Sequence, residues 1–285
     1  MSTGVFAFNP QGFVGRFSVL VQEGALLGAG LTPNQGAGPV VAAGTRVTLT
    51  TANYILNFTF SMSGHSHNVV VLTVSPHALA GSRTCYFLPW CSDGATEMTL
   101  ANGASFFFTS TLTGCSVKVH GPKATPTVIH ANARGTYSNA YQPTFNAAPG
   151  HLSDKQKHAL AEAHGSTQAQ AAINGMLGGA VAGQGLVTKT DYVGQATTGA
   201  IKTAGKNLDV GNEYKVKKVK PDLFNNLKLQ SGGFVYGVRG AAGWDFYYQA
   251  SLVVTGTAVK KAFFSRGSKT LMNEEVVLGP PTHIF

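Results

Sequence analysis

Apolar and polar positions alternate along residues 45–50, and in part along 54–60, the period of two expected of strands with one buried face. Residues 68–74 form an unbroken β-branched run that suits a central strand. Pro76 and Gly81 punctuate the next stretch. Further strands are predicted over 105–109, 116–120 and 127–130, with Gly121, Pro122 and Pro126 in the loop between the last two. The middle of the chain is helical. Ser153 and Gln156 have the spacing of a capping box, opening a helix that runs to His164 and stops at Gly165. Thr167 and Gln170 repeat the device for a second, shorter helix, and the glycine-rich residues 175–185 read as a loop. Residues 233–239 and 244–250 predict a hairpin, and 251–258 and 260–264 two more strands before a polar tail that Pro280 and Pro281 make irregular. No internal repeat is present. Strands, then helices, then strands predict an α+β fold, with a β-sandwich-like core of mixed and antiparallel strands flanked by helices. Residues 1–43 are rich in Gly and Ala with short apolar islands such as 17–21, and predict a partly ordered N-terminal extension to a domain over 44–285.

The chain has 285 residues and is 44% hydrophobic, enough for a substantial core. Charged residues are only 12%, about half the usual share, so solubility falls to Ser, Thr, Asn, Gln and Gly. The net charge of +9 favours acidic partners without choosing among them. The densest basic run, 215–220, reads as a solvated strand edge that discourages edge pairing, with a phosphate-contacting or docking patch as the alternative. No aromatic residues interleave it, so nucleic acid is not an expected partner. No basic n-region opens the chain and no run reaches the roughly 18 apolar residues of a spanning helix. Neither a signal peptide nor a membrane span is expected, and the chain is expected to be made in the cytosol. The cysteines are Cys85, Cys91 and Cys115, an odd number for a disulfide framework. Cys85 and Cys91 could pair across Pro89, although free thiols suit a cytosolic chain better, and Cys115 is the natural unpaired one.

Cys115 follows Gly114 at the end of a predicted strand, and His130 lies on the strand after next. A thiol attacks carbonyls as the thiolate, and a neighbouring imidazole takes its proton. Gly114 frees the backbone beside the sulfur, and the strand–loop–strand from Cys115 to His130 can return the histidine to its side. His120 is the alternative base, but five residues along one strand hardly return it to the thiol. His65 and His67 could start a zinc site that Cys85, Cys91 or His120 completes. The sequence lacks the paired-cysteine and His-Glu-x-x-His spacings, and a polar turn after Gly64 is the favoured reading. No phosphate-cradling loop is present, so neither a metal nor a cofactor is expected.

The block from Phe107 through Thr109 to Leu112, Thr113, Gly114 and Cys115 resembles the Leu-Ser-Gly-Cys signature of the bacterial glutamine deamidase toxins. That group holds the Burkholderia lethal factor and the cytotoxic necrotizing factors, and its wider superfamily the chemoreceptor deamidase. The Phe-Phe-Thr lead-in, Leu88-Pro89-Trp90 upstream and Val128-Ile129-His130 downstream extend the likeness, which is best over 86–133. Thr113 stands in place of the serine, and the loop from cysteine to histidine is slightly longer here. The resemblance implies a Cys-His-Thr site: Cys115 the nucleophile, His130 the base, and Thr109 orienting His130 by a hydrogen bond. Backbone N–H groups at Gly114 and Cys115, in the turn through Thr113, would hold the oxyanion. It implies a toxin or effector that converts a glutamine of a host or competitor-cell protein to glutamate with release of ammonia. By analogy the target is a small GTPase or a translation-initiation RNA helicase, and the enzyme is secreted or delivered into the target cell's cytosol. A non-catalytic β-rich binding or structural protein, a transglutaminase and a cysteine protease are the alternative readings.

Overall fold

Apolar side chains alternate between two cores along β5 (Arg83–Leu88) and β7 (Phe106–Thr109). Cys85, Phe87, Phe106 and Phe108 enter one core, and Tyr86, Leu88 and Phe107 the other. Both faces are buried, which is why these segments read as solid apolar runs instead of alternating ones. The computed structural model describes residues 3, 6, 9–10, 18–22, 41–62, 69–78, 80–193, 228–261, 268–278 and 281–285.

The strands form two sheets. The first is nine-stranded, in the order β1 (Ser18–Gln22), β4 (Val69–Ser75), β3 (Ile55–Met62), β5, β7, β11 (Lys228–Gly240), β12 (Gly243–Lys261) and β13 (Ser268–Leu278), with β14 (Thr282–His283) also paired to β12. The second has five strands: β10 (Gly185–Val187), β8 (Ser116–His120), β9 (Thr127–Ala131), β6 (Ala95–Thr99) and β2 (Arg46–Thr48). Pairs β1–β4, β5–β7 and β2–β6 are parallel and the rest antiparallel, so the sheets are mixed. Among the described residues after β9 the helices are α1 (Arg134–Ala147), α2 (Asp154–Leu177) and the short α3 (Lys189–Val193). The architecture is the α+β sandwich expected. Val117, Val119 and Val128 of the second sheet meet Leu88, Phe107 and Val235 of the first in the inter-sheet core. On the outer side of the second sheet, Ile129 and Ala131 pack against Ile173, Met176 and Leu177 of α2.

Several elements differ from the sequence reading. The capping box at Ser153 is formed in both directions, but the helix runs through Gly165 to Leu177 as one element. Gly165 is a close-approach glycine: a Cβ there would stand 3.0 Å from the Tyr137 ring of α1. Helix α1 has no amphipathic signal, because it buries no residue fully and carries Pro143 inside it. Strands β5 and β6, the short elements β10 and α3, and β13, which pairs with β12 where a polar tail is expected, have no counterpart in the sequence reading. The predicted 233–250 hairpin is present as β11 and β12, and residues 251–258 continue β12 instead of starting a new strand. Of the described residues in 1–43, Ser18–Gln22 form β1, parallel to β4, and the Phe6 ring is fully buried on the outer face of the first sheet. The lysine run 215–220, residues 262–264, and His65 and His67 lie outside the described residues. All three cysteines are buried and none is in a disulfide. No helix among the described residues is long and apolar enough to cross a membrane.

Candidate active site

The loop between β7 and β8 carries the thiol, and backbone contacts hold it at both ends. Leu112 exchanges two backbone hydrogen bonds with Gly233 of β11, at 2.6 and 3.0 Å. A Cβ on Gly233 would stand 2.8 Å from the Gln249 carbonyl oxygen on β12, so a glycine is needed where the loop rests on the hairpin. At the other end, the buried Tyr192 of α3 donates its hydroxyl to the Cys115 carbonyl at 2.8 Å. Between these anchors Gly114 takes φ +146, a backbone conformation that L side chains rarely adopt.

Cys115 lies at the floor of a cleft of about 1350 Å³, with only 2% of its surface exposed. Thr113 and Gly114 of the loop, Trp90, Tyr137 of α1 and Gln170 of α2 are among the lining residues. The Asn132 side chain donates from Nδ2 to Cys115 Sγ at 3.0 Å. The register of β8 and β9 explains this contact. Val117 pairs with His130 and Ser116 with Ala131, so Cys115, one step before β8, falls opposite Asn132, one step beyond β9. With side chains alternating along each strand, Cys115, Val117, His130 and Asn132 share one face, and His130 lies diagonal to Cys115.

His130 is fully buried, and neither ring nitrogen has a well-formed hydrogen bond, the Leu88 backbone being its polar neighbour. Burial lowers its pKa from 6.5 to about 4, partly offset by the Leu88 backbone, so the ring is a neutral imidazole at physiological pH. Thr109 does not orient it. Its hydroxyl accepts from the Val235 N–H at 3.1 Å and donates to the Val235 carbonyl at 3.4 Å. The threonine thus takes the place of a backbone rung at the end of the β7–β11 ladder, and its hydrogen-bonding capacity is used there. Thr109 and His130 still meet around Leu88, the ladder partner of Thr109.

Burial and then the Cys115 charge push up the pKa of the Tyr192 hydroxyl, which stays protonated as the donor to the Cys115 carbonyl. Cys91 is a second thiol near the first. Burial foremost, then the Cys115 charge, raise it to about 11, which keeps it protonated. Along the cleft wall the Tyr137 hydroxyl donates to Glu162, and Lys189 Nζ stands 3.9 Å from Glu162 Oε1. His120 is the last residue of β8, at the far end of the strand from Cys115, which removes it as a base. Among the described residues no three His, Cys, Asp or Glu side chains group as a metal site.

Sequence reasoning missed Asn132 and Tyr192. Asn132 carried a usable signal, since two residues after His130 a strand returns to the same face. Tyr192 carried none, because it reaches the loop from another element 77 positions away. Chemically, a thiol, an uncharged imidazole on the same sheet face and a fixed amide donor at the floor of a cleft suit acyl transfer from a carbonyl group that can reach the sulfur. No protein-family model matches this sequence, and no curated protein matches it.

Proposed function

We propose that this chain is a protein-glutamine deamidase with Cys115 as nucleophile and His130 as base, belonging with the glutamine deamidase toxins that its Cys-loop resembles. The observation that carries this reading is the thiol at the floor of a large cleft, hydrogen-bonded to an amide, with a neutral imidazole diagonal to it on one sheet face. His130 takes the Cys115 proton, and the sulfur adds to the glutamine Cδ, moving the carbonyl π pair onto oxygen. When that oxygen re-forms the double bond, the C–N bond breaks and His130 returns its proton to the leaving ammonia. Water, deprotonated by the same imidazole, then adds to the thioester and expels the thiolate, leaving glutamate. Thr109 has no part in orienting the base and acts on the first sheet instead.

The same reading makes the protein a bacterial toxin or effector that acts in the cytosol of a host or competitor cell. Its substrate is a protein with an exposed glutamine, a small GTPase or translation-initiation RNA helicase by analogy. A volume of about 1350 Å³ exceeds one glutamine side chain several-fold, so the cleft also takes up residues flanking the target.

Mass spectrometry of eukaryotic lysate treated with wild type or Cys115→Ser tests this reading. A glutamine heavier by about one mass unit, only with wild type, is the expected result. Amine adducts would point to transglutamination and shortened chains to proteolysis. No change across lysates, together with a Cys115 that resists alkylation, would leave a binding protein whose buried thiol is part of the core.

A further inference from the structure

We infer that Asn132 is the hydrogen-bond donor of the site: its Nδ2 holds negative charge on Cys115 Sγ and then on the oxygen of the carbonyl that the sulfur attacks. The inference rests on the acyl-transfer reading in its second half only, since the first half concerns the thiol alone.

Asn132 is fixed from three sides. Its backbone N–H donates to the Gly94 carbonyl at 2.9 Å. Its side-chain Oδ1 accepts from the Arg134 N–H at 2.9 Å, as α1 begins. An acceptor pinned on that N–H leaves the amide one orientation, with the NH2 group directed at the sulfur 3.0 Å away. The residue is 6% exposed, so little water competes for these donors. A hydrogen bond to the charged form of an acid favours that form, and here it is a neutral amide, present at any pH, that donates. The imidazole does not do this job, because His130 has no well-formed hydrogen bond to the sulfur and is uncharged at neutral pH.

The oxyanion role comes from the position of the amide, whose Nδ2 stands 3.0 Å from the attacking sulfur. The amide of Asn132 has two N–H bonds. As the S–C bond forms, negative charge leaves sulfur and appears on an oxygen attached to the same carbon. A donor already at the sulfur is then within reach of that oxygen without moving the backbone.

Asn132→Asp separates the donor from the cap. Aspartate keeps the oxygen that accepts from Arg134 N–H, so α1 keeps its start, but it presents a carboxylate where the sulfur had an N–H. The rate of Cys115 alkylation by iodoacetamide, read at that residue by mass spectrometry across pH, reports the thiolate fraction whatever the substrate is. The inflection is expected to rise by at least one pH unit in Asn132→Asp, so that the rate at pH 7 falls about tenfold while the high-pH plateau is unchanged. Asn132→Ala is expected to move the same way by less, since it removes the donor without adding a charge. A profile that superimposes on wild type in both variants overturns the thiolate assignment. Above the shifted inflection, deamidation by Asn132→Asp should remain at least tenfold below wild type. Full recovery there would overturn the oxyanion role. A shifted alkylation profile in a protein that modifies no glutamine would sink the deamidase reading and leave the thiolate assignment standing.

Discussion

His130 carries a cost that the fold accepts. An imidazole with neither nitrogen in a well-formed hydrogen bond in the inter-sheet region can hardly take up a proton, which is why its pKa drops to about 4. The unfolded chain binds that proton near pH 6.5 and the folded chain refuses it. Stability is therefore complete above pH 6.5 and is lost as the pH falls through the window from 6.5 to about 4. The gap corresponds to about 3 kcal/mol. Urea midpoints measured from pH 7.5 down to 4 should fall across that window, and His130→Gln should flatten the fall. An equally steep fall in the variant would place the acid sensitivity elsewhere.

Among the elements, α2 shows how one glycine changes meaning with its surroundings. In sequence, Gly165 after a capped run reads as a stop, because glycine commonly ends helices. In the molecule the Tyr137 ring lies on it, and the two helices close to a distance that a side chain would prevent. Gly165→Ala places a Cβ 3.0 Å from that ring, and Gly165→Val adds two methyl groups. Valine is expected to destabilise by about 1–3 kcal/mol, despite the better helix propensity of a non-glycine residue. Thermal melts of the two variants check this, and a Gly165→Val protein as stable as wild type would mean that α1 moves aside without cost. The stakes reach the site, since the first residue of α1, Arg134, donates its N–H to Asn132 and Tyr137 lines the cleft.

For the molecule as a whole, Phe6 closes the outer core. The Phe6 ring packs 4.9 Å from Phe60 and 5.6 Å from both Phe106 and Phe108, centroid to centroid. These are distances at which aromatic pairs contribute beyond area burial. Phe108 belongs to β7, whose end leads into the thiol loop. Phe6→Ala is expected to cost about 3–5 kcal/mol, as for other fully buried phenylalanines. Guanidinium unfolding of that variant measures it, and a cost below about 1 kcal/mol would mean that the Phe6 ring adds little to the outer core.

The chain's local chemistry was legible where one residue type does one job. The run at 116–120 could be only a strand, Ser153 and Gln156 only a helix start, and Cys115 and His130 fell two positions apart on one ladder because side chains alternate along strands. Those features depend on neighbours within a few residues. Thr109 could not be placed that way, because its hydroxyl is taken by Val235, 126 positions on. Nor could the Tyr192 hydroxyl's bond to the Cys115 carbonyl, or Asn132's hold on the sulfur. A hydrogen bond goes to whichever partner the packing delivers, and packing between sheet and sheet or helix and sheet leaves no period in the sequence to read.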